Sequence, residues 1–251
     1  VLFSKPQVSY ETVNDLHQDL INLALVVQNP DTGKELYEVV TRTLFDEDML
    51  PRAKDYLLTA DWRGSLDVQR AYWYLVFSWM GLNGVSGTLL SGTGTFAVRY
   101  SAKGGNGPGR WRSVIESLPD WHQRLSGVQI LRRDGFELLE KLDDACGTAI
   151  YADPPYLVKS AKYVHDFKPE DHARLATILG RFKCARVVVS YYDHPSLSEL
   201  YPGWNKLICS VAKSMVNSGK RDQRGRTDAP EVLLVNGKLI VDPCQKKLFA
   251  E

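Results

Sequence analysis

Between Thr148 and Leu157 the chain reads T-A-I-Y-A-D-P-P-Y-L, and this stretch narrows the fold more than any other. The apolar run Ala149, Ile150, Tyr151 and Ala152 ends on an acid, two prolines and an aromatic ring. A short apolar run closed by breakers fits a buried strand of a parallel sheet. Neither Pro154 nor Pro155 can donate a ladder hydrogen bond, so the strand has to stop at Asp153. Asp153, Pro154, Pro155 and Tyr156 then stand at the carboxyl end of a strand, where open α/β sheets bind their ligands.

These residue types make a specific tool. Asp153 offers carboxylate acceptors, Pro154 a carbonyl whose direction is stiffened by the ring of Pro155, and Tyr156 a flat face. Two acceptors and one platform suit a planar ring that carries an amino group. A D-P-P tripeptide on its own more often marks a turn, so the rest of the chain decides between the two readings.

Two other predicted strands also end on acids. Glu11, Thr12 and Val13 read as a short strand finishing on Asn14-Asp15, after which Leu16, Leu20, Leu23 and Val27 recur at helical spacing. Residues 128–131 read as a second strand, followed by Arg132-Arg133-Asp134-Gly135 and a helix over 136–142. Alone, Asp15 reads as a helix cap, although an acid in that place is also what nucleotide-binding sheets set against ribose hydroxyls. Three acids at successive strand ends weigh more than one. Further on, Lys168-Pro169-Glu170 opens a helix with proline in its first turn, whose buried face is predicted to be Leu175, Ile178, Leu179 and Phe182. Residues 185–191 form a β-branched run leading to Tyr192-Asp193-His194-Pro195, and residues 207–211 and 231–235 read as two last strands.

Residues 30–126 differ in character. Helices are predicted over 37–44, over 68–82 (apolar on most sides and therefore buried) and over 111–125, the last broken at Pro119, with long irregular connectors between them. Residues 82–109 are rich in glycine, and Phe96, Arg99, Tyr100, Lys103, Arg110, Trp111 and Arg112 interleave charge with rings. That mixture suits contact with phosphates and bases, and it suits an ordinary solvated loop equally well. Alternating strands and helices with this insertion argue for an α/β sheet.

Composition excludes some classes. The 251 residues are 44% hydrophobic and 24% charged, with a formal net charge of +1, which is ordinary for a globular protein and too balanced to announce a nucleic-acid partner. A basic cluster at Lys220, Arg221, Arg224 and Arg226 is the local exception. No run is long and apolar enough to span a bilayer, and no signal-peptide pattern opens the chain. Cys146, Cys184, Cys209 and Cys244 are irregularly spaced, and the expectation is four reduced thiols that bind no metal. His165 and His194 are read as structural, and Met80 and Met215 as packing filler.

With these residues assembled, the chain resembles the D12-class DNA adenine-N6 methyltransferases, particularly their phage and prophage members. In order, the matching segments are Val13-Asn14-Asp15-Leu16 with Asp19-Leu20; residues 96–104; Arg133-Asp134-Gly135-Phe136; Tyr151-Ala152-Asp153-Pro154-Pro155-Tyr156; Tyr163-Val164-His165-Asp166-Phe167; Ser190-Tyr191-Tyr192-Asp193; Tyr201-Pro202-Gly203-Trp204; and residues 227–235. The resemblance implies a Rossmann-like class I methyltransferase sheet, with catalytic parts over 1–30 and 127–251 and a mostly helical target-recognition region over 31–126. It implies transfer of a methyl group from S-adenosylmethionine to adenine N6 in double-stranded DNA. Asp15, with Asn14 beside it, would meet the cofactor ribose, Asp134 its adenine amino group and Phe136 its ring. Asp153 and Pro154 would accept hydrogen bonds from the target amine, and Tyr156 would stack on a flipped base. Asn83, Arg99, Lys103, Arg110, Lys220, Arg224 and Arg226 are the expected DNA contacts, in a monomer working in the cytoplasm of a bacterial cell or a phage-infected host.

The family's glycine-rich cofactor loop would precede Val1, and the expectation is that a few dozen residues, that loop among them, lie upstream. The family's Asn-Arg pair ahead of Asn83-Gly84 is altered here to Ser78-Trp79-Met80-Gly81-Leu82, which touches sequence specificity more than chemistry. Cytosine N4, RNA adenine, or a DNA-binding protein that has lost its cofactor stay open as alternatives. The sequence leaves open the recognition site and any pairing with a restriction enzyme.

Overall fold

A computed structural model describes residues 1–62, 64–81, 95–96, 98, 106–157, 167–209 and 230–238. These form two compact units, one built from Val1–Gly135 and the other from Phe136 onward.

In the first unit a parallel pair of strands, β1 (Thr12–Asn14) and β2 (Gln129–Leu131), accompanies five helices. They are α1 (Gln18–Gln28), α2 (Pro30–Thr41), α3 (Met49–Thr59), α4 (Val68–Met80) and α5 (Gly107–Leu125). All but α3 start where a side chain accepts a helix-terminal N–H. His17 Nδ1 accepts the Leu20 N–H at 3.2 Å, Asn29 Oδ1 accepts from Asp31 and Thr32, and Asp67 accepts from Arg70. Their apolar sides close on Val26, Leu36, Val40, Leu75, Phe77 and Met80, all without solvent exposure. Burying each such side chain contributes roughly 1.5–3 kcal/mol. Helix α4 carries eight buried residues, which agrees with its all-round apolar sequence.

Within that apolar mass sits one ion pair. Arg70 Nε donates to Asp19 Oδ1 at 2.5 Å and Nη2 to Oδ2 at 3.3 Å, while Nη1 and Nη2 reach the carbonyls of Ala60 and Leu57. The guanidinium also lies 5.6 Å from the centre of the Trp62 ring.

In the second unit, β3 (Ala149–Ala152), β4 (Arg186–Tyr192), β5 (Asn205–Cys209) and β6 (Glu231–Val235) form one sheet in the order β3-β4-β6-β5. Strands β3 and β4 are parallel, whereas β6 runs antiparallel to both β4 and β5. Helices α6 (Gly135–Lys141), α7 (Pro169–Gly180) and α8 (Leu197–Leu200) complete the unit. Alternation along the strands sorts its two faces. Ile150, Ala152, Val187, Val189, Tyr191, Val232 and Leu234 point into a core with Leu175, Leu179 and Phe182. Tyr151, Ser190, Tyr192 and Glu231 belong to the opposite face.

Several expectations need correction. Strand β3 is parallel as predicted but borders only β4 among the described residues, so Tyr151 is 42% exposed and the strand is not buried on both sides. Helix α5 runs through Pro119 unbroken, because the proline lies on the exposed side while Trp111, Val114, Leu118 and Leu125 hold the buried stripe. Helix α2 starts at Pro30, seven residues before the predicted start, and α3 and α8 were not anticipated. Cys146 and Cys184 are joined as a disulfide with Cα atoms 4.8 Å apart, not held as separate thiols, and among the described residues Cys209 has no disulfide partner. Cys244 falls outside the described residues, as do most of 82–109, the 220–226 cluster, His165 and Met215. Among the described residues no helix is long and apolar enough to cross a membrane.

Candidate active site

Two groups of predicted residues are brought together, one in each unit. In the first, β1 and β2 pair in register up to Asn14 opposite Leu131, and the Asp15 N–H continues the ladder to the Leu131 carbonyl at 3.3 Å. Asn14 then clamps the two strand ends: its Oδ1 accepts the Arg133 N–H and its Nδ2 donates to the Arg133 carbonyl, both at 2.9 Å. The Asn14 side chain is thereby committed to the backbone. Asp15 and Asp134, one residue beyond each clamp position, leave the carboxyl ends of adjacent parallel strands, and both are half-buried. Asp15 Oδ1 accepts the His17 N–H at 2.7 Å, turning the chain into α1. The cap of α1 is His17 and not Asp15, whose Oδ1 only turns the chain towards the helix; among the described residues its Oδ2 has no hydrogen-bond partner.

In the second unit Asp153 follows β3 directly, exposed at the sheet's rim, with Pro154 buried behind it. Tyr156 folds back over the sheet. Its ring lies 4.4 Å from that of Tyr192 in an edge arrangement and 6.1 Å from Tyr191. Its hydroxyl meets Ser190 Oγ at 3.0 Å and donates to Glu231 Oε1 at 3.2 Å. The Ser190 hydroxyl donates to the same Glu231 oxygen at 2.9 Å, and Ser190 is fully buried.

The register explains the cluster. Tyr192 pairs with Glu231 and Ser190 with Leu233, so Ser190 and Glu231 are diagonal neighbours on one face of the antiparallel β4–β6 ladder. Cys209 pairs with Glu231 from β5.

Crowding and like charge set the electrostatics. Partial burial pushes the Asp153 carboxyl above the ordinary range, the nearby Glu231 carboxylate adds to the rise, and the Tyr156 hydroxyl opposes it. Although its surface is open, the carboxylate is ringed by enough protein to lose hydration. Burial, with the two acids adding, also pushes the Tyr156 hydroxyl well up, so it stays a hydrogen-bond donor. The Cys209 thiol rises for the same reasons, burial first and Glu231 second.

Other predicted residues fall elsewhere. Phe136 is 9% exposed within the second unit's core, its ring stacked on Phe167 at 5.5 Å and covered by the Arg174 guanidinium at 4.4 Å. Of the expected DNA contacts, Arg110 lies exposed on α5, while Asn83, Arg99, Lys103, Lys220, Arg224 and Arg226 are outside the described residues. His194 Nδ1 accepts the Ser196 N–H at 3.3 Å in the turn after β4, as a structural histidine would. Ser190 and Glu231 carried no assigned role in the sequence. Their signal is a serine inside the β-branched run of β4 and an acid at the head of the apolar E-V-L-L-V.

The acid-proline-proline-aromatic rim and the paired acids at parallel strand ends are what an amino-methyltransferase requires. The sequence model of the D12 class N6 adenine-specific DNA methyltransferase family matches residues 1–216. The chain belongs to that family. A comparison with curated proteins returns no match. As a D12-class enzyme it methylates adenine N6 in DNA with S-adenosylmethionine as the family's methyl donor. The donor set at the ends of β1 and β2 fits that cofactor in kind, because carboxylates pair with ribose hydroxyls and with an exocyclic amino group.

Proposed function

We propose that this methyltransferase acts on an adenine turned out of double-stranded DNA, which is gripped at the end of β3. What carries the reading is the rim itself: Asp153 open to solvent, Pro154 buried behind it, and Tyr156 fixed by its hydroxyl. The enzyme is taken to be a cytoplasmic monomer with a Rossmann-like catalytic part over 1–30 and 127–251. Residues 31–126, helical in α2 to α5, would supply target recognition. Arg110 and the basic side chains Arg99, Lys103, Lys220, Arg224 and Arg226, with Asn83, would meet the DNA.

Adenine N6 is a poor nucleophile because its lone pair is delocalised into the ring. The Asp153 carboxylate and the Pro154 carbonyl each accept one N–H hydrogen, which favours a more pyramidal nitrogen and stabilises the charge that grows on it. S-adenosylmethionine, when bound, would supply an electrophilic methyl group on a sulfonium, whose methyl–sulfur bond breaks as the methyl moves and leaves a neutral thioether. Asp15 would hold its ribose and Asp134 its adenine amino group. As the new N–C bond forms, N6 becomes cationic and must lose a proton. Asp153, whose proton affinity burial has raised, is a better acceptor for it than an ordinary carboxylate. Tyr156 offers its ring to the displaced base and offsets part of the unstacking cost, a few kcal/mol.

The test is incubation with methyl-labelled cofactor and unmethylated duplex DNA, followed by digestion to nucleosides. Label in N6-methyladenosine is expected. Label in N4-methylcytosine would refute the choice of target. Asp153→Ala should abolish label incorporation while DNA affinity stays within about threefold, a change smaller than one lost hydrogen bond. A large fall in affinity would contradict the role given to that carboxylate.

A further inference from the structure

Glu231 lies 75 residues from Tyr156 in sequence, and β6 returns it to the rim. Its Oε1 collects two hydroxyls, from Ser190 at 2.9 Å and from Tyr156 at 3.2 Å. Each hydroxyl has one proton to give. Both have Glu231 Oε1 as an acceptor, and either can be the donor across the 3.0 Å between them. Among the described residues Glu231 has no cationic partner, and its half-buried carboxylate accepts from hydroxyls.

A tyrosine ring on a loop after two prolines can still rotate about two side-chain bonds. Packing restrains it through Tyr192 on one side and Tyr191 further off. Hydrogen bonds from its hydroxyl to Ser190 and Glu231 tie the far end of the ring to the sheet. That tie comes from strands β4 and β6, which bear no other part of the D-P-P-Y loop.

We propose that Glu231 is a positioning residue of the methyl-transfer site, holding the Tyr156 ring in place through Ser190 so that its face stays beside the acceptors Asp153 and Pro154. This rests on the functional reading above and names a residue through which that site is built. Glu231 touches Tyr156, not the reacting atoms.

The measurement is the methyl-transfer rate of the full chain at saturating cofactor, with KM for cofactor and for DNA, in wild type, Glu231→Ala, Tyr156→Phe and the double variant. Removing either end of one hydrogen bond should slow transfer about tenfold. If the two side chains act through one another, the double variant should also be slower by about tenfold, against about a hundredfold for independent effects. The loss should fall on kcat, with both KM values within about twofold, since the ring is present and only its placement changes. Glu231→Gln keeps an oxygen for both hydroxyls and should retain a rate within about threefold of wild type. Multiplying losses, or a Gln variant as slow as the Ala variant, would overturn the inference. Should Glu231→Ala fail to fold, Glu231→Met, which keeps the volume but accepts neither hydroxyl, takes its place in the same cycle. A wild type that transfers no methyl group at all would overturn the functional reading and this inference together, whereas an active wild type with multiplying losses overturns this inference alone.

Discussion

Replacing Asp19 with alanine tests whether the buried ion pair holds the first unit together. Asp19 and Arg70 expose only 10% and 6% of their side chains. The substitution removes both hydrogen bonds that the guanidinium donates to the carboxylate and leaves a buried cation facing a void. Breaking such a pair from one side costs about 3–5 kcal/mol. Arg70 keeps the carbonyls of Ala60 and Leu57 and the face of Trp62, which place the expected loss near the lower end, about 3 kcal/mol.

Urea unfolding followed by tryptophan fluorescence reads this loss locally. Five of the six tryptophans (Trp62, Trp73, Trp79, Trp111 and Trp121) belong to the first unit, and Trp204 belongs to the other. With a slope of about 2 kcal/mol per molar, the midpoint should fall by about 1.5 M. Adding Arg70→Met removes the stranded charge and should restore at least about 1 kcal/mol. A midpoint shift below about 0.5 M, or a double variant no more stable than Asp19→Ala, would refute the reasoning.

Three further outcomes are expected. The Arg124 guanidinium, with Lys5 second, pulls the Glu11 carboxyl down to about 2. Its folded form is depressed, so the stability it adds is present above the ordinary carboxylate range and lost as pH falls through about 2; between pH 5 and 2 the Tm of wild type should drop more steeply than that of Glu11→Gln, and parallel curves would deny the link. Asn14→Ala removes the clamp between the ends of β1 and β2 and should lower stability by about 1 kcal/mol, with cofactor affinity falling alongside in calorimetry; unchanged affinity would detach the clamp from the cofactor site. Changing Arg224 and Arg226 together to alanine should weaken DNA binding on every sequence and reduce the slope of affinity against salt by up to about 2, and an unaltered slope would remove both from the interface.

Much of the second unit was legible because its strands are short apolar runs closed by unmistakable breakers. The D-P-P-Y rim could be located at the end of β3, and the buried face of α7 emerged as Leu175, Ile178 and Leu179 from spacing alone. Helix α3 escaped notice because Asp48 makes no side-chain cap and only Leu50, Ala53 and Leu57 mark its buried face. Pro119 misled for the opposite reason. A proline signals a break, but on a solvent face water takes up the carbonyl that it leaves unpaired. The partnership of Tyr156 with Glu231 was invisible, since it depends on β6 entering antiparallel beside β4, and no periodicity in either strand states which neighbour it will choose.

That placement of β6 has a temporal consequence. Among the described residues the strand made last is the one inserted between β4 and β5, so a chain still emerging from the ribosome has both inner borders of its sheet unsealed until β6 is out. A product terminated before Glu231 would thus carry the whole D-P-P-Y motif and yet lack the carboxylate that collects its tyrosine.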